Sequence, residues 1–209
     1  MRQSIRHRAR NRVVRMTART EIKDANALLE TGKAAEAEQA VRQAILDARA
    51  ALDWLESAGY SRFAILGTSL GSCVALITQA HDRRLRVSVL NHVSTYFADV
   101  VWTGLSTSHV RAGIEKHVGL ADLREIWLPI SPRAYFAKLA GTGKSSLLVH
   151  ALYDYSFLPH LSRQVLDDYR RLAIPHSTLA LPCGHYTSGE FPFNIALGLA
   201  MCNYLRVHL

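Results

Sequence analysis

The fold is decided by the stretch Phe63-Ala64-Ile65-Leu66-Gly67-Thr68-Ser69-Leu70-Gly71. Its first four residues are all apolar, which predicts a strand over residues 62–66 that is buried on both faces of a parallel sheet. Its last five form a Gly-x-Ser-x-Gly pentapeptide, and a helical pattern follows at once. A sharp turn from strand to helix strains the central residue and exposes its side chain, and it requires glycines because side chains there would clash. This context predicts a nucleophilic Ser69; the alternative is a serine in an ordinary Gly-rich turn.

Strands and helices alternate along the rest of the chain. Further apolar runs predict strands at 86–93, 146–152 and 177–181, and helical patterns occur at 70–81, 160–172 and 192–207. Such alternation predicts an α/β fold with a mostly parallel sheet of about four strands and flanking helices. The long segment at 98–140 is expected to be a helical insertion. It is either a lid or cap over a site or a structural cover for the sheet.

The chain before the first predicted strand contains no comparable apolar run. Apolar residues recur in steps of four and three from Val41 to Leu55, which predicts a helix over residues 34–57. A shorter helix is expected at 17–31. We therefore expect no strand before residue 60, and a single domain over residues 21–209.

Two candidate partners for Ser69 follow later strands. Asp154 comes just after the predicted strand 146–152, and His185 follows the strand 177–181. The carboxyl ends of parallel strands meet at one edge of a sheet, where ligands bind. A serine hydroxyl needs a base, and the base needs a carboxylate to orient it. We therefore expect Ser69 Oγ to lie about 2.6–3.2 Å from a ring nitrogen of His185.

Other residues near these strand ends have two interpretations. Asp99 is the alternative acid, but it lies further from the end of its strand. His92 follows the strand 86–93, and it either lines a pocket or is a structural histidine. Tyr96, Trp102 and Tyr186 either line an acyl pocket or simply pack.

From about Ala50 to Leu209 the chain resembles the C-terminal, catalytic portion of α/β-hydrolase-fold serine hydrolases. The matching segments are Ala51–Leu55, Gly59-Tyr60, the elbow Gly67–Ser72, Tyr153-Asp154 and Gly184-His185. The resemblance implies that Ser69 is the nucleophile, Asp154 the acid, His185 the general base and the backbone N–H of Leu70 an oxyanion donor. It implies hydrolysis of a small ester, thioester or amide substrate through an acyl-enzyme, with no cofactor and no metal.

The sequence departs from the family pattern before the elbow. The family has several strands there, and the loop after one of them supplies a second oxyanion N–H, often near a His-Gly pair. Residues 1–61 contain neither a strand pattern nor a His-Gly pair. The chain is then a fragment, pairs its open sheet edge in a homo-oligomer, or covers that edge with its N-terminal helix. The alternative function is a catalytically weak or inactive remnant that serves as an interaction module.

Charge and cysteine content limit the binding partners and the cellular locations that the sequence predicts. The net charge is +8, but residues 1–20 hold seven arginines and no acid, so the rest of the chain is nearly neutral. We expect a basic, disordered arm at 1–20; binding to phosphates or anionic lipid and organelle targeting are its alternatives. The neutral body argues against nucleic-acid binding. Cys73, Cys183 and Cys202 form no C-x-x-C pair, which favours a cytoplasmic protein, and no apolar run predicts a membrane span.

Overall fold

The computed structural model describes residues 34–209, and the side chains from residue 38 onward. The basic arm at 1–20 and the helix expected at 17–31 lie outside the described residues. The chain divides into two compact units, Met1–Ser61 and Arg62–Leu209.

The first unit contains one long helix in its described part. Helix α1 runs over Ala34–Ser57, as its apolar period predicts. On its surface, Arg42 bonds Glu38 one turn earlier at 2.7 Å, a spacing that supports isolated helices. Residues 34–62 contain no strand, so the expectation of no strand before residue 60 holds wherever the chain is described.

The second unit is built on a sheet of four parallel strands in chain order. These strands are β1 (Phe63–Thr68), β2 (Leu85–Asn91), β3 (Ser145–Ala151) and β4 (His176–Leu181). In the register, Val89 lies beside Leu147, and Val149 lies beside Leu179. The predicted parallel sheet of about four strands is confirmed.

Helices fill the connections between the strands. Helix α2 (Leu70–His81) follows β1, and the segment between β2 and β3 contains four short helices joined by 3₁₀ turns. These are α3 (Phe97–Thr103), α4 (Ser108–Ile114), α5 (Leu120–Ile126) and α6 (Phe136–Leu139). The connection between β3 and β4 contains α7 (Pro159–Arg171), which starts with a proline at its first position, and α8 (Phe193–His208) follows β4. None of the described helices combines the length and apolar character needed to cross a membrane.

Two apolar clusters cover the two faces of the sheet. Successive side chains on a strand point to opposite faces, so Leu148 joins one cluster while Leu147 and Val149 join the other. The first cluster packs β2 and β3 against α2, α6 and α7. The second packs them against α8. The central strands are therefore buried on both faces, as is typical of parallel sheets.

The outer strands are more exposed than their apolar sequences predict. Leu66 of β1 is 51 % exposed, and in β4 the side chains of Ser177, Thr178 and Ala180 are exposed. The expectation that the strand at 62–66 is buried on both faces is wrong at Leu66. The physical reason is the position of the outer strands, because β1 and β4 are the edges of the described sheet and each has one strand neighbour.

The core assignment can be tested with two leucines. Leu148 is 2 % exposed and packs between β2 and the helices on one face, whereas Leu199 on α8 is 68 % exposed. Leu148→Ala should lower the free energy of unfolding by about 2–5 kcal/mol, because it leaves a cavity in a packed core. Leu199→Ala should change it by less than about 0.5 kcal/mol. Urea unfolding followed by circular dichroism measures both, and equal losses would contradict this core.

Candidate active site

Ser69 occupies a strained turn between β1 and α2. Its backbone angles are φ 57° and ψ −129°, a sparsely populated region for a residue with a side chain. Three hydrogen bonds hold this conformation. The N–H of Ser69 donates to the Asn91 carbonyl at 2.8 Å, and the carbonyl of Ser69 accepts from the N–H and the hydroxyl of Ser72 at 2.8 and 2.6 Å. The turn presents the Ser69 hydroxyl, half-buried, at the carboxyl edge of the sheet.

Glycine is required before this serine because the turn closes on itself. A Cβ atom on Gly67 would lie 2.0 Å from the carbonyl oxygen of Gly71, a distance that no real side chain tolerates. The pentapeptide spacing therefore follows from the sharpness of the turn. Leu70 is the first residue of α2, and the first N–H groups of a helix have no partner within it. The Leu70 N–H and the positive end of the helix dipole thus stand beside Ser69.

Asp154 lies in the loop after β3, with its side chain 1 % exposed. Its Oδ1 accepts hydrogen bonds from the backbone N–H groups of Ser156 and Phe157 at 2.7 and 2.8 Å. Its Oδ2 accepts from Nδ1 of His185 at 2.8 Å. Burial alone would raise the pKa of this carboxyl, but the interactions with His185 and His92 and the bond from the Phe157 N–H outweigh burial and hold the pKa well below its ordinary value. Asp154 is therefore an ionised carboxylate with a fixed orientation.

His185 lies in the loop after β4 and connects the other two residues. A carboxylate can only accept, so Nδ1 carries the proton that bonds Asp154, and Nε2 is left to accept from the Ser69 hydroxyl. The distance from Nε2 to Ser69 Oγ is 3.2 Å, within the range expected from the sequence. The imidazole stacks on Phe157 at 5.4 Å between ring centroids. The structure thus brings together the three residues that the sequence predicts.

His92 belongs to the same site, although the sequence left open whether it lines a pocket or is a structural histidine. Its side chain is 1 % exposed, and its Nδ1 lies 3.0 Å from Asp154 Oδ2. Its ring lies 4.4 Å from the ring of His185, and its Nε2 lies 3.1 Å from Ser188 Oγ. The available signal was its position directly after β2, at the edge where Asp154 and His185 follow β3 and β4.

Most of the other residues that the sequence offered as candidates lie away from Ser69, Asp154 and His185. Asp99, the alternative acid, bonds Nε of Arg124 at 2.6 Å. Together with Tyr96, these two residues line a groove of about 380 Å³ that includes none of the three triad residues. Guanidinium groups lie 5.3 Å above the rings of Tyr96 and Trp102. Of the three aromatic candidates for an acyl pocket, Tyr186 contacts the site, with its exposed ring edge-on to His185 at 5.2 Å.

The same cluster has the donor atoms of a small metal site. Ligand atoms of His92, Asp154 and His185 all lie within 4.8 Å of one another. A metal ion at this position would have to displace the proton shared by His185 and Asp154, since Asp154 Oδ1 is already held by two backbone N–H groups. The hydrogen-bond pattern favours an acid–base network of these residues.

Comparison with known proteins identifies the fold. Neither a protein-family model nor a curated protein matches the chain. Among solved structures, an acylaminoacyl peptidase from Pyrococcus horikoshii is similar over 71 % of this chain and 24 % of its own, with 15 % identity and a TM-score of 0.59. An esterase from Pyrococcus furiosus is similar over 79 % of this chain and 62 % of its own, with 14 % identity and a TM-score of 0.63. An acetyl xylan esterase from Paenibacillus sp. R4 is similar over 81 % of this chain and 54 % of its own, with 18 % identity and a TM-score of 0.64.

These likenesses show that the chain has the α/β-hydrolase fold, which confirms the resemblance found in the sequence. The chain spans about a quarter of the length of the peptidase and somewhat more than half of each esterase. The four described strands carry the elbow and the two loops that supply Asp154 and His185.

The elbow geometry can be tested with two glycines. Gly67→Ala should destabilise the unit strongly, by more than about 2 kcal/mol, because the new Cβ has no room beside the Gly71 carbonyl. Gly198→Ala is the control: Gly198 lies within α8, and a Cβ there meets no atom within 4 Å. That change should leave stability unchanged or raise it by up to about 1 kcal/mol through helix propensity. The melting temperatures of the two variants, measured side by side, test this prediction. A Gly67→Ala variant as stable as the unaltered protein would refute the tight turn.

Stability should fall on acidification for two reasons that can be separated. The pKa of Asp154 lies below its ordinary value, so the unfolded chain takes up this proton first as the pH falls below about 5. Burial lowers the pKa of His92 as well, so the unfolded chain binds that proton below about pH 6.5 while folded His92 stays neutral. Both groups therefore make the folded state more stable at neutral pH than in acid.

The variants His92→Gln and Asp154→Asn should each remove one part of this dependence. We expect a flatter curve between about pH 7 and 5.5 for the first variant and below about pH 5 for the second. Urea unfolding at constant ionic strength measures the free energy at each pH. Curves parallel to that of the unaltered protein would contradict the assignment.

Proposed function

We propose that the protein is a serine hydrolase that cleaves ester-like bonds in a small molecule (an ester, a thioester or an amide) through an acyl-enzyme. One observation carries the proposal. An unbroken hydrogen-bonded line runs from Ser69 Oγ to His185 at 3.2 Å and from His185 to Asp154 at 2.8 Å, and it starts at a strained elbow. Nucleophile, base and orienting acid in this relation are the recurring apparatus of acyl transfer.

Each residue has one role in the proposed reaction. Ser69 Oγ attacks the carbonyl carbon while Nε2 of His185 takes the hydroxyl proton, and Asp154 stabilises the imidazolium that forms. The Leu70 N–H and the N-terminus of α2 stabilise the negative oxygen of the tetrahedral intermediate. His185 then gives the proton to the leaving group. Water deacylates Ser69 by the same steps, with His185 again acting as base.

The oxyanion hole is the weak part of this apparatus. In the resembled family the second donor comes from a loop after a strand that precedes the elbow. Here the described residues before β1 form a helix and a short turn without a strand, and Leu70 is the one donor that we assign. Loss of one donor typically lowers turnover by a factor of about 10²–10³. We therefore expect activity that is measurable but low.

The second candidate function is a binding module that keeps the fold without turnover. The observations that favour it are the missing second donor in the described chain and the apolar side chains that α8 exposes. Ile195, Leu199 and Val207 are each more than half exposed on that helix. A further copy of the chain, paired at an open sheet edge, would be the simplest partner.

A fluorophosphonate probe separates the two functions, because it reacts with activated serines. Ser69→Ala should abolish both labelling and hydrolysis of p-nitrophenyl esters, with little change in melting temperature, since the hydroxyl fills no core volume. Asp154→Asn should lower kcat by as much as about 10⁴-fold, because the base loses its orienting partner. Ser106→Ala is the matched control, an exposed serine in a turn between α3 and α4, and it should behave as the unaltered protein.

The outcomes are distinct. Labelling that requires Ser69 and is unaffected by Ser106→Ala supports the hydrolase. A well-folded protein that stays unlabelled at micromolar concentration supports the binding module. Equal labelling with and without Ser69 would refute the proposed mechanism.

A further inference from the structure

His92 connects all three segments that carry the proposed triad. Its backbone carbonyl accepts from the hydroxyl of Ser72, which also bonds the Ser69 carbonyl at the elbow. Its Nδ1 faces Asp154 at 3.0 Å, and its Nε2 reaches Ser188, whose hydroxyl donates to the carbonyl of His185 at 2.7 Å. One buried side chain thus touches the acid and, through a single serine, the loop of the base.

The hydrogen bonds of Ser188 determine where His92 carries its proton. The Ser188 hydroxyl has one proton, and it donates this proton to the His185 carbonyl at 2.7 Å. Its oxygen is then an acceptor for Nε2–H of His92 at 3.1 Å. Neutral His92 with its proton on Nε2 has a bare Nδ1, and no hydrogen bond is formed by Nδ1 among the described residues. Burial lowers the pKa of His92, which favours this neutral form.

His92 also fills the space beside Asp154. Its ring packs against Asp154 Oδ2, with Nδ1 3.0 Å from that oxygen. The ring also excludes water there, because the side chain is 1 % exposed. The Nε2–H bond meanwhile ties the turn Thr187–Gly189, and with it His185, to the end of β2.

We propose that His92 is a positioning residue of the triad: it holds the His185 loop through Ser188 and keeps water away from Asp154 Oδ2. This inference rests on the proposed hydrolase function. It predicts an effect on the chemical step, because a displacement of about 1 Å in catalytic geometry costs up to about 10²-fold in rate. Substrate binding should be affected less.

The substitutions at His92 separate its two nitrogen positions. Gln places an amide N–H near the position of Nε2 and keeps the bond to Ser188, whereas Asn places a polar group near Nδ1, beside Asp154. Phe keeps the ring volume and removes both. The backbone of His92 has φ 59°, a left-handed conformation that favours Asn over most residues, so backbone preference alone would rank Asn first. The proposal predicts the opposite order.

We expect His92→Phe to lower kcat about 10- to 100-fold, with KM changed less than about threefold. His92→Gln should retain most of the activity, and His92→Asn should resemble the Phe variant. His81→Phe is the control, an exposed histidine at the end of α2 that bonds Ile77 instead of the triad; it should leave kcat unchanged. Should His92→Phe fail to fold, the kcat values of His92→Gln and His92→Asn still test the proposal.

Ser188 provides an independent test of the bridge. Ser188→Ala should lower kcat in the same direction, and the combined variant with His92→Phe should lose less than the product of the two single losses, because both disrupt one connection. Ser88→Ala, which removes a buried hydroxyl from the bond between β2 and β3, controls for loss of a buried serine and should leave kcat unchanged. Independent, multiplicative losses would overturn the bridge.

A spectroscopic measurement does not depend on turnover. In ¹⁵N-labelled protein, the ring nitrogens should show His92 protonated on Nε2 and His185 protonated on Nδ1, and Ser188→Ala should disturb the first assignment. An unaltered protein that labels with the probe, combined with full activity in His92→Phe, refutes the positioning role and leaves the hydrolase intact. A protein that is silent to the probe refutes the hydrolase and with it the positioning role. In that case the ring-nitrogen signals still show whether the bridge to Ser188 exists.

Discussion

The parallel register of the sheet is the constraint on which the candidate site depends. Because all four strands run the same way, every connection leaves the sheet at the same edge. The elbow follows β1, His92 follows β2, Asp154 follows β3 and His185 follows β4. Ser69 and His185, more than a hundred positions apart, thereby come within hydrogen-bond distance at one edge of the sheet. The strained turn at Ser69 is tolerated because its N–H donates to the carbonyl of Asn91 at the end of β2, and its carbonyl accepts from Ser72 in α2.

A buried negative charge organises the centre of this edge. Removing a carboxylate from water is costly unless its oxygens are fully hydrogen-bonded. Asp154 meets that condition with two backbone N–H groups on one oxygen and His185 on the other. The backbone donors orient the carboxylate whatever the state of the histidine. His185 can therefore gain and lose a proton while its partner stays in place, which is what the proposed mechanism requires of it.

Much of this architecture could be predicted from the sequence, and the reasons are local. The strand-to-helix context of Gly67–Gly71 determined α2 to the residue, and the apolar period determined α1. The triad followed from strand ends and chain order. By contrast, the exposure of β4 depends on which strand is last in the sheet, and no property of its own residues reveals that. The contacts of His92 were missed for a similar reason, since its partners Asp154 and Ser188 lie 62 and 96 positions further along the chain.

The order of the strands has a consequence for how the unit is built. Spatial order equals chain order, so each new strand can add to a neighbour that has already been synthesised, and no strand has to be inserted between two others. Local, sequential pairing of this kind keeps the entropy cost of closing each loop low. His185 is the exception to early assembly, because it arrives only with β4. A nascent chain would hold Ser69 and Asp154 in place, yet the hydrogen-bonded line between them would stay open until the last strand joined the sheet.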